Sequence, residues 1–161
     1  MPTFFRFLSE YFWLLFLCIG TFNYLKARRA LPPEPNGQVG EAASYLNRFA
    51  IGANGPWLVM GVGQTLGFTP TVWYYFRPQD GNPFVIAWLV AIFLTTCTYA
   101  WWVLFAGGAE KVREFGLMAI FGQHTSKPES LRSIKLSAVL GVLIPPVWVY
   151  LALSMNAPLP K

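Results

Sequence analysis

The sequence predicts an all-α, polytopic membrane protein that crosses its bilayer on four transmembrane helices. Three observations carry this. No acidic or basic side chain occurs between Arg48 and Arg77, between Asp80 and Glu110, or between Lys135 and Lys161, and each interval exceeds the roughly 20 residues that span a hydrocarbon core. Of the 161 residues, 55% are hydrophobic, 17% aromatic and only 12% charged, well below the roughly 25% charged of soluble domains. The basic residues flank the apolar runs, as the positive-inside rule requires, and form no continuous stripe. The chain therefore reads as one domain over 1–161. Its spans fall near 4–26, 55–76, 84–106 and 134–155, with N-out/C-out topology and short interfacial helices in two cytoplasmic loops.

The first span needs an extension, because its uncharged run from Tyr11 to Leu25 is only about 22 Å long at helical rise. Phe4, Phe5, Phe7 and Leu8 supply one. Arg6 can snorkel there, and Glu10 lies one turn away to pair with it. The segment lacks a basic n-region of more than one residue and a small-residue cleavage site, so an uncleaved helix is expected rather than a signal peptide. The following LKARRALPPEPNGQVGE is a basic, proline-rich loop. In EAASYLNRFAIG, Tyr45, Leu46, Phe49 and Ala50 cluster at helical spacing beside Asn47 and Arg48, which predicts a short interfacial helix.

The second span opens at NGPW, where Asn54 can cap a helix and Pro56 suits its first turn. Gly61, Gly63, Gly67 and Gln64 are its helix-packing candidates, and Gly63 to Gly67 is a GxxxG spacing that lets a second helix approach. Pro70 is expected to kink it. RPQDGNP, from Arg77 to Pro83, is a tight polar turn that makes spans two and three an antiparallel hairpin. The third span ends at Gly107 and Gly108. In AEKVREFGLMAIFG, Val112, Phe115 and Ala119, joined by Leu117 and Phe121, oppose Glu110, Lys111, Arg113 and Glu114. That segment suits either the headgroup plane or the protein's own surface. Lys127-Pro128-Glu129 offers another helix start. Pro145 and Pro146 lie inside the fourth span and should bend or unwind it.

With four spans, nine basic residues (Lys26, Arg28, Arg29, Arg48, Lys111, Arg113, Lys127, Arg132 and Lys135) share one side, against Arg6, Arg77 and Lys161 on the other. The long basic loops then face the cytoplasm of a bacterial inner membrane or an equivalent energy-transducing membrane. Trp73 and Tyr74 are expected to anchor the outer interface. Trp57, Trp101 and Trp102 are expected at the inner one, with a ligand platform at Trp101-Trp102 as the lesser reading.

Chemistry is harder to find. His124, the only histidine, falls in the second loop, which excludes bis-histidine haem within one chain. Cys18 and Cys97 sit singly in apolar runs, without zinc or disulfide spacing. Ser9, Ser137 and Ser154 have no base in prospect, and GVGQTLG has the wrong spacing for a phosphate-binding glycine loop. Apart from Glu10 near an end, the spans hold no ionisable residue of the kind that pumps and redox subunits use. Asn23 and Gln64 are the buried amides that must find partners.

These features predict a non-catalytic accessory or structural subunit that packs in a larger membrane complex or with itself. A small-solute transporter or channel and a small lipid-modifying membrane enzyme are the alternatives. No cofactor or metal is predicted, although the helix faces leave room for a bound lipid or other apolar molecule. The expected partners are membrane lipids and other transmembrane subunits or a second copy, and not nucleic acid.

Overall fold

The computed structural model describes residues 3–31, 40–118 and 130–154. These form six α-helices: α1 (Thr3–Glu10), α2 (Phe12–Ala30), α3 (Gly40–Thr65), α4 (Pro83–Phe105), α5 (Gly108–Glu114) and α6 (Leu131–Ser154). Two short 3-10 turns, Val72–Phe76 and Pro78–Asp80, join α3 to α4. α4 and α6 are long and apolar enough to cross a membrane, and the bent pair α1–α2 makes a third if its parts form one span.

The first expected span is broken. Its axis bends by 68° at Tyr11, with no proline or glycine at the break. A side chain reaching into the helix ladder explains it. The Gln64 amide of α3 donates a long hydrogen bond, 3.5 Å, to the carbonyl of Ser9, the group that would otherwise accept from Trp13. Beyond the bend, α1 packs against Val72–Phe76 and leaves Phe4, Phe5 and Phe7 exposed. Arg6 and Glu10 pair as expected, at 2.9 Å.

The second span differs most from its expectation. α3 begins at Gly40 and passes unbroken through Asn54-Gly55-Pro56. The stretch expected as a separate interfacial helix is thus the first half of α3, and Asn54 is not a cap. Its side-chain amide instead donates to the carbonyl of Ala50, one turn back. Gly55 explains how the helix passes the proline: the ring clashes with the Cβ of the residue before it, and glycine has none. α3 then stops at Thr65, well short of Phe76. Gly67, in the left-handed region at φ +78°, ends it, and the N–H of Gly67 donates to the carbonyl of Gln64. Pro70 therefore lies outside any helix and kinks none.

The turn from Arg77 to Pro83 forms as its residues suggest. Arg77 Nη2 donates to Asp80 Oδ1 at 3.1 Å, while Nε lies 3.0 Å from Oδ2 at ion-pair distance without hydrogen-bond geometry. Asn82 caps α4 by accepting from the Phe84 N–H, and Pro83 occupies the first turn. α4 matches its expected span to within a residue at each end. α6 remains helical through Pro145 and Pro146, so they neither unwind nor interrupt it. α5 turns Ala109 and Val112 into the protein core rather than toward a bilayer surface, so the second expected interfacial helix packs on its own protein. Glycine again permits this, because a Cβ on Gly108 would strike the Trp102 ring.

The long helices run antiparallel to their neighbours. Trp13, Phe16, Gly20 and Tyr24 of α2 meet Gly61, Trp57, Asn54 and Asn47 of α3. Tyr45 and Gly63 of α3 meet Trp102 and Phe84 of α4, and Trp88 of α4 meets Trp148 of α6. Buried residues gather in two clusters at opposite ends. One joins Ala27, Leu46, Ala100, Val103, Val112 and Ile134; the other joins Met60, Val72, Tyr75, Val85 and Trp88.

Candidate functional site

Two places concentrate the singled-out residues. The larger is a groove of about 770 Å³ between α3 and α4. On α3 the lining residues recur at helical spacing as Tyr45, Arg48, Phe49, Gly52, Ala53, Pro56 and Trp57; on α4 they include Ile92, Thr95, Thr98, Tyr99, Trp101 and Trp102. Gly52 opens the groove, since the nearest atom a Cβ there would meet is the Thr95 methyl at 3.6 Å. Trp102 stacks on Tyr45 at 5.5 Å and meets Phe49 edge-on at 5.4 Å, which fixes one end of the wall. Trp101 is 62% exposed and flanks it. Arg48 lies exposed at the same end, with no hydrogen bond or ion pair to the described residues. Among the described residues, Arg48 is the wall's one charged side chain; its other polar groups are threonine and tyrosine hydroxyls and indole N–H groups, and Thr96 donates its own hydroxyl to the carbonyl of Ile92.

The second place is the far end of α3. Tyr75, fully buried, donates to the carbonyl of Met60 at 3.2 Å and shares a 3.0 Å hydrogen bond with Thr69. Gly63 leaves room for both hydroxyls, and Gly61 lets Trp13 lie flat against α3. Of the four packing candidates, Gly61 and Gly63 therefore make close contacts. Gly67 lies beyond the end of α3 with a left-handed backbone and meets nothing within 4 Å, so Gly63 and Gly67 do not share a helix face and form no helix interface among the described residues. Gln64 reaches Ser9 with its Nε2, but its Oε1 is buried without a partner among the described residues, as is Trp88 Nε1.

No protein-family model, curated protein or solved structure matches this chain. The reading of the site rests on its own geometry.

The remaining expected residues scatter. Trp57 lines the groove at the opposite end from Trp101 and Trp102, where it stacks on Phe16 at 4.2 Å and packs against the cluster that holds Met60 and Trp88. With α3 starting at Gly40, Trp57 lies about five turns into the helix rather than at its start. Trp73 is partly exposed and Tyr74 half-buried in the 3-10 turn after α3. Ser9, Ser137 and Ser154 donate to the carbonyls of Arg6, Ile134 and Leu151, three residues back in their own helices, which is a structural use of a hydroxyl. The described residues contain no group of three or more metal-ligating side chains. His124 and residues 127–129 lie outside them.

Sequence reasoning missed Gly20 and Arg48. Gly20 admits Asn54 of α3, whose Oδ1 a Cβ would strike. Arg48 was grouped with an interfacial helix when it belongs to a groove wall. The period of 45, 48/49, 52/53 and 56 on α3 was visible, but pairing it with 95, 98 and 101/102 needs the register between two helices.

Proposed function

We propose that this chain is a non-catalytic integral membrane subunit that crosses the bilayer four times, with its basic end in the cytoplasm, and docks a further transmembrane helix on α6. One observation carries the docking. α6 presents Leu136, Leu140, Leu143, Ile144, Val147 and Leu151 outward as exposed apolar side chains that recur at helical spacing along one stripe, while Gly141 lies in register with the buried Ile134, Ala138 and Ala152 on the inward face. Such a stripe offers side chains that interdigitate with those of a neighbouring helix, and van der Waals packing of this kind drives association where lipid removes the hydrophobic drive.

Support for the crossing number comes from pairing. α3 accompanies α4 from Tyr45 beside Trp102 to Gly63 beside Phe84, and α2 accompanies α3 along the same length. A helix held along a membrane-crossing neighbour over that distance crosses with it. Charge supports the orientation. At the end built around Ala27 and Ile134, the described residues include eight basic side chains (Lys26, Arg28, Arg29, Arg48, Lys111, Arg113, Arg132 and Lys135) against Glu41, Glu110 and Glu114. At the other end Arg6 and Arg77 are balanced by Glu10 and Asp80.

Light scattering of the tagged protein in mild detergent tests the docking. An assembly larger than one chain is expected, and Val147→Trp, at the centre of the outward stripe, is expected to reduce it to the monomer. A monomer from the unmodified chain, without crosslinked neighbours in the native membrane, refutes it.

A further inference from the structure

We propose that the groove between α3 and α4 is a site for an anionic phospholipid, with an acyl chain lying along Gly52 and Thr95 and the headgroup phosphate on Arg48. The proposal rests on the transmembrane placement given above, but on a different helix face.

Length is the first argument. The groove follows α3 from Tyr45 to Trp57, twelve residues or about 18 Å of helix, close to half of the roughly 30 Å hydrocarbon core. It therefore extends through about one leaflet. Charge supplies the second. Arg48 stands at the basic end of the molecule, exposed and without a partner among the described residues; Lys26, Arg29, Arg113, Arg132 and Lys135 share that state, but Arg48 is the one charged side chain among them that lines the groove. A guanidinium at headgroup depth binds a phosphate by charge-assisted, often bidentate hydrogen bonds. Trp101, exposed on the facing helix, stands at the same level, where indole rings favour the interface. Surface chemistry is the third. Below Arg48 the wall is mostly aromatic and aliphatic, its polar groups being indole N–H groups and the hydroxyls of tyrosine and of Thr95, Thr96 and Thr98 with no further charge, and Gly52 supplies the hollow. One amphiphile of the basic leaflet meets all three conditions: charge at the mouth, hydrocarbon below, and the length of one chain.

Native mass spectrometry of the delipidated protein, offered dioleoyl phosphatidylglycerol and dioleoyl phosphatidylcholine at equal concentration, tests this. Phosphatidylglycerol should be retained about fivefold better, the order of one juxtamembrane basic residue. Arg48→Gln, at an exposed and unpaired position, should erase the preference. Thr98→Trp, which fills the groove from an exposed position, should remove both lipids while near-UV circular dichroism stays native. Lys135→Gln, elsewhere on the basic end, should change neither. Equal retention of the two lipids overturns the proposal. So does a folded Thr98→Trp chain that keeps them, or a Lys135→Gln effect as large as that of Arg48→Gln, which would mean diffuse charge rather than a site. Because binding is counted on single chains, failure here leaves the α6 docking untouched, and the reverse holds.

Discussion

Replacing Gly63 with alanine adds one methyl group at the most crowded point of the far cluster. The new Cβ would lie 2.8 Å from Thr69 Oγ1, 2.8 Å from the Tyr75 hydroxyl and 3.1 Å from Phe84 Cβ. Neither hydroxyl can retreat freely. They bond each other at 3.0 Å, and Tyr75 is held to the Met60 carbonyl at 3.2 Å and edge-on to Trp88 at 5.1 Å. Overpacking of this kind costs about 1–3 kcal/mol. Loss of the Tyr75–Met60 hydrogen bond adds about 0.5–1.5 kcal/mol. Against this, alanine gains about 1 kcal/mol over glycine in a helix interior. A net loss of about 1–3 kcal/mol is expected, read as a lower midpoint in thermal unfolding in detergent followed by tryptophan fluorescence. Tyr75→Phe removes one of the blocking oxygens, so the double variant should lose less than the sum of the singles, a coupling that a double-mutant cycle measures. Gly141→Ala, with open space around it, is the control and should be neutral or slightly stabilising. A Gly63→Ala protein as stable as the unmodified one, or singles that add without coupling, would refute the packing argument.

Three further outcomes are expected. Gly20→Ala should destabilise the protein by about 1–3 kcal/mol in the same assay, because its methyl group displaces the Asn54 side chain on which α2 and α3 meet. Single cysteines at exposed Glu110 and Gln79 should react with an impermeant maleimide from opposite sides of sealed vesicles, Glu110 from the cytoplasmic side; labelling from one side would remove the hairpin crossing. Lys111, hydrogen-bonded to Glu41 and close to Glu114, holds its proton above the ordinary 10.5. A raised folded value means that its contribution is complete below the unfolded value and is lost as pH rises through the folded one. Stability should therefore show no Lys111-dependent step between pH 6 and 9, and a small one in strong alkali that is absent from Lys111→Met.

The parts legible in the sequence are those that a single helix decides. Charge-free runs locate α4 and α6 within a few residues, and Asn82, Pro83 and Gly81 specify the turn before α4 because capping and left-handed backbone are local properties. The errors occur where one element answers to another. Asn54-Gly55-Pro56 looks like a helix start by its own residues, yet glycine before the proline removes the clash that would have ended α3. Tyr11 carries no mark of a bend, because the group that stabilises it, Gln64, comes from another helix. The groove likewise needed the register of α3 against α4. Its residues were in view as separate anchors and polar positions, and only their pairing makes them one surface.

The distribution of burial also agrees with the membrane placement proposed above. α2 buries nothing before Ala27, α4 nothing between Trp88 and Ala100, and α6 nothing between Ala138 and Ala152. Between the two end clusters the helices touch through Gly20, Gly52 and aromatic edges, while Leu14, Ile19, Leu94 and Leu143 face outward. In water each such side chain, about half exposed, would forgo roughly 1 kcal/mol of burial, and a structure this sparsely packed at its middle would collapse or aggregate. In hydrocarbon the same exposure costs nothing, because lipid tails are as apolar as leucine. In that surround the middle of the bundle is free to stay open, and the α3–α4 groove lies along that opening, where the lipid proposed above would lie.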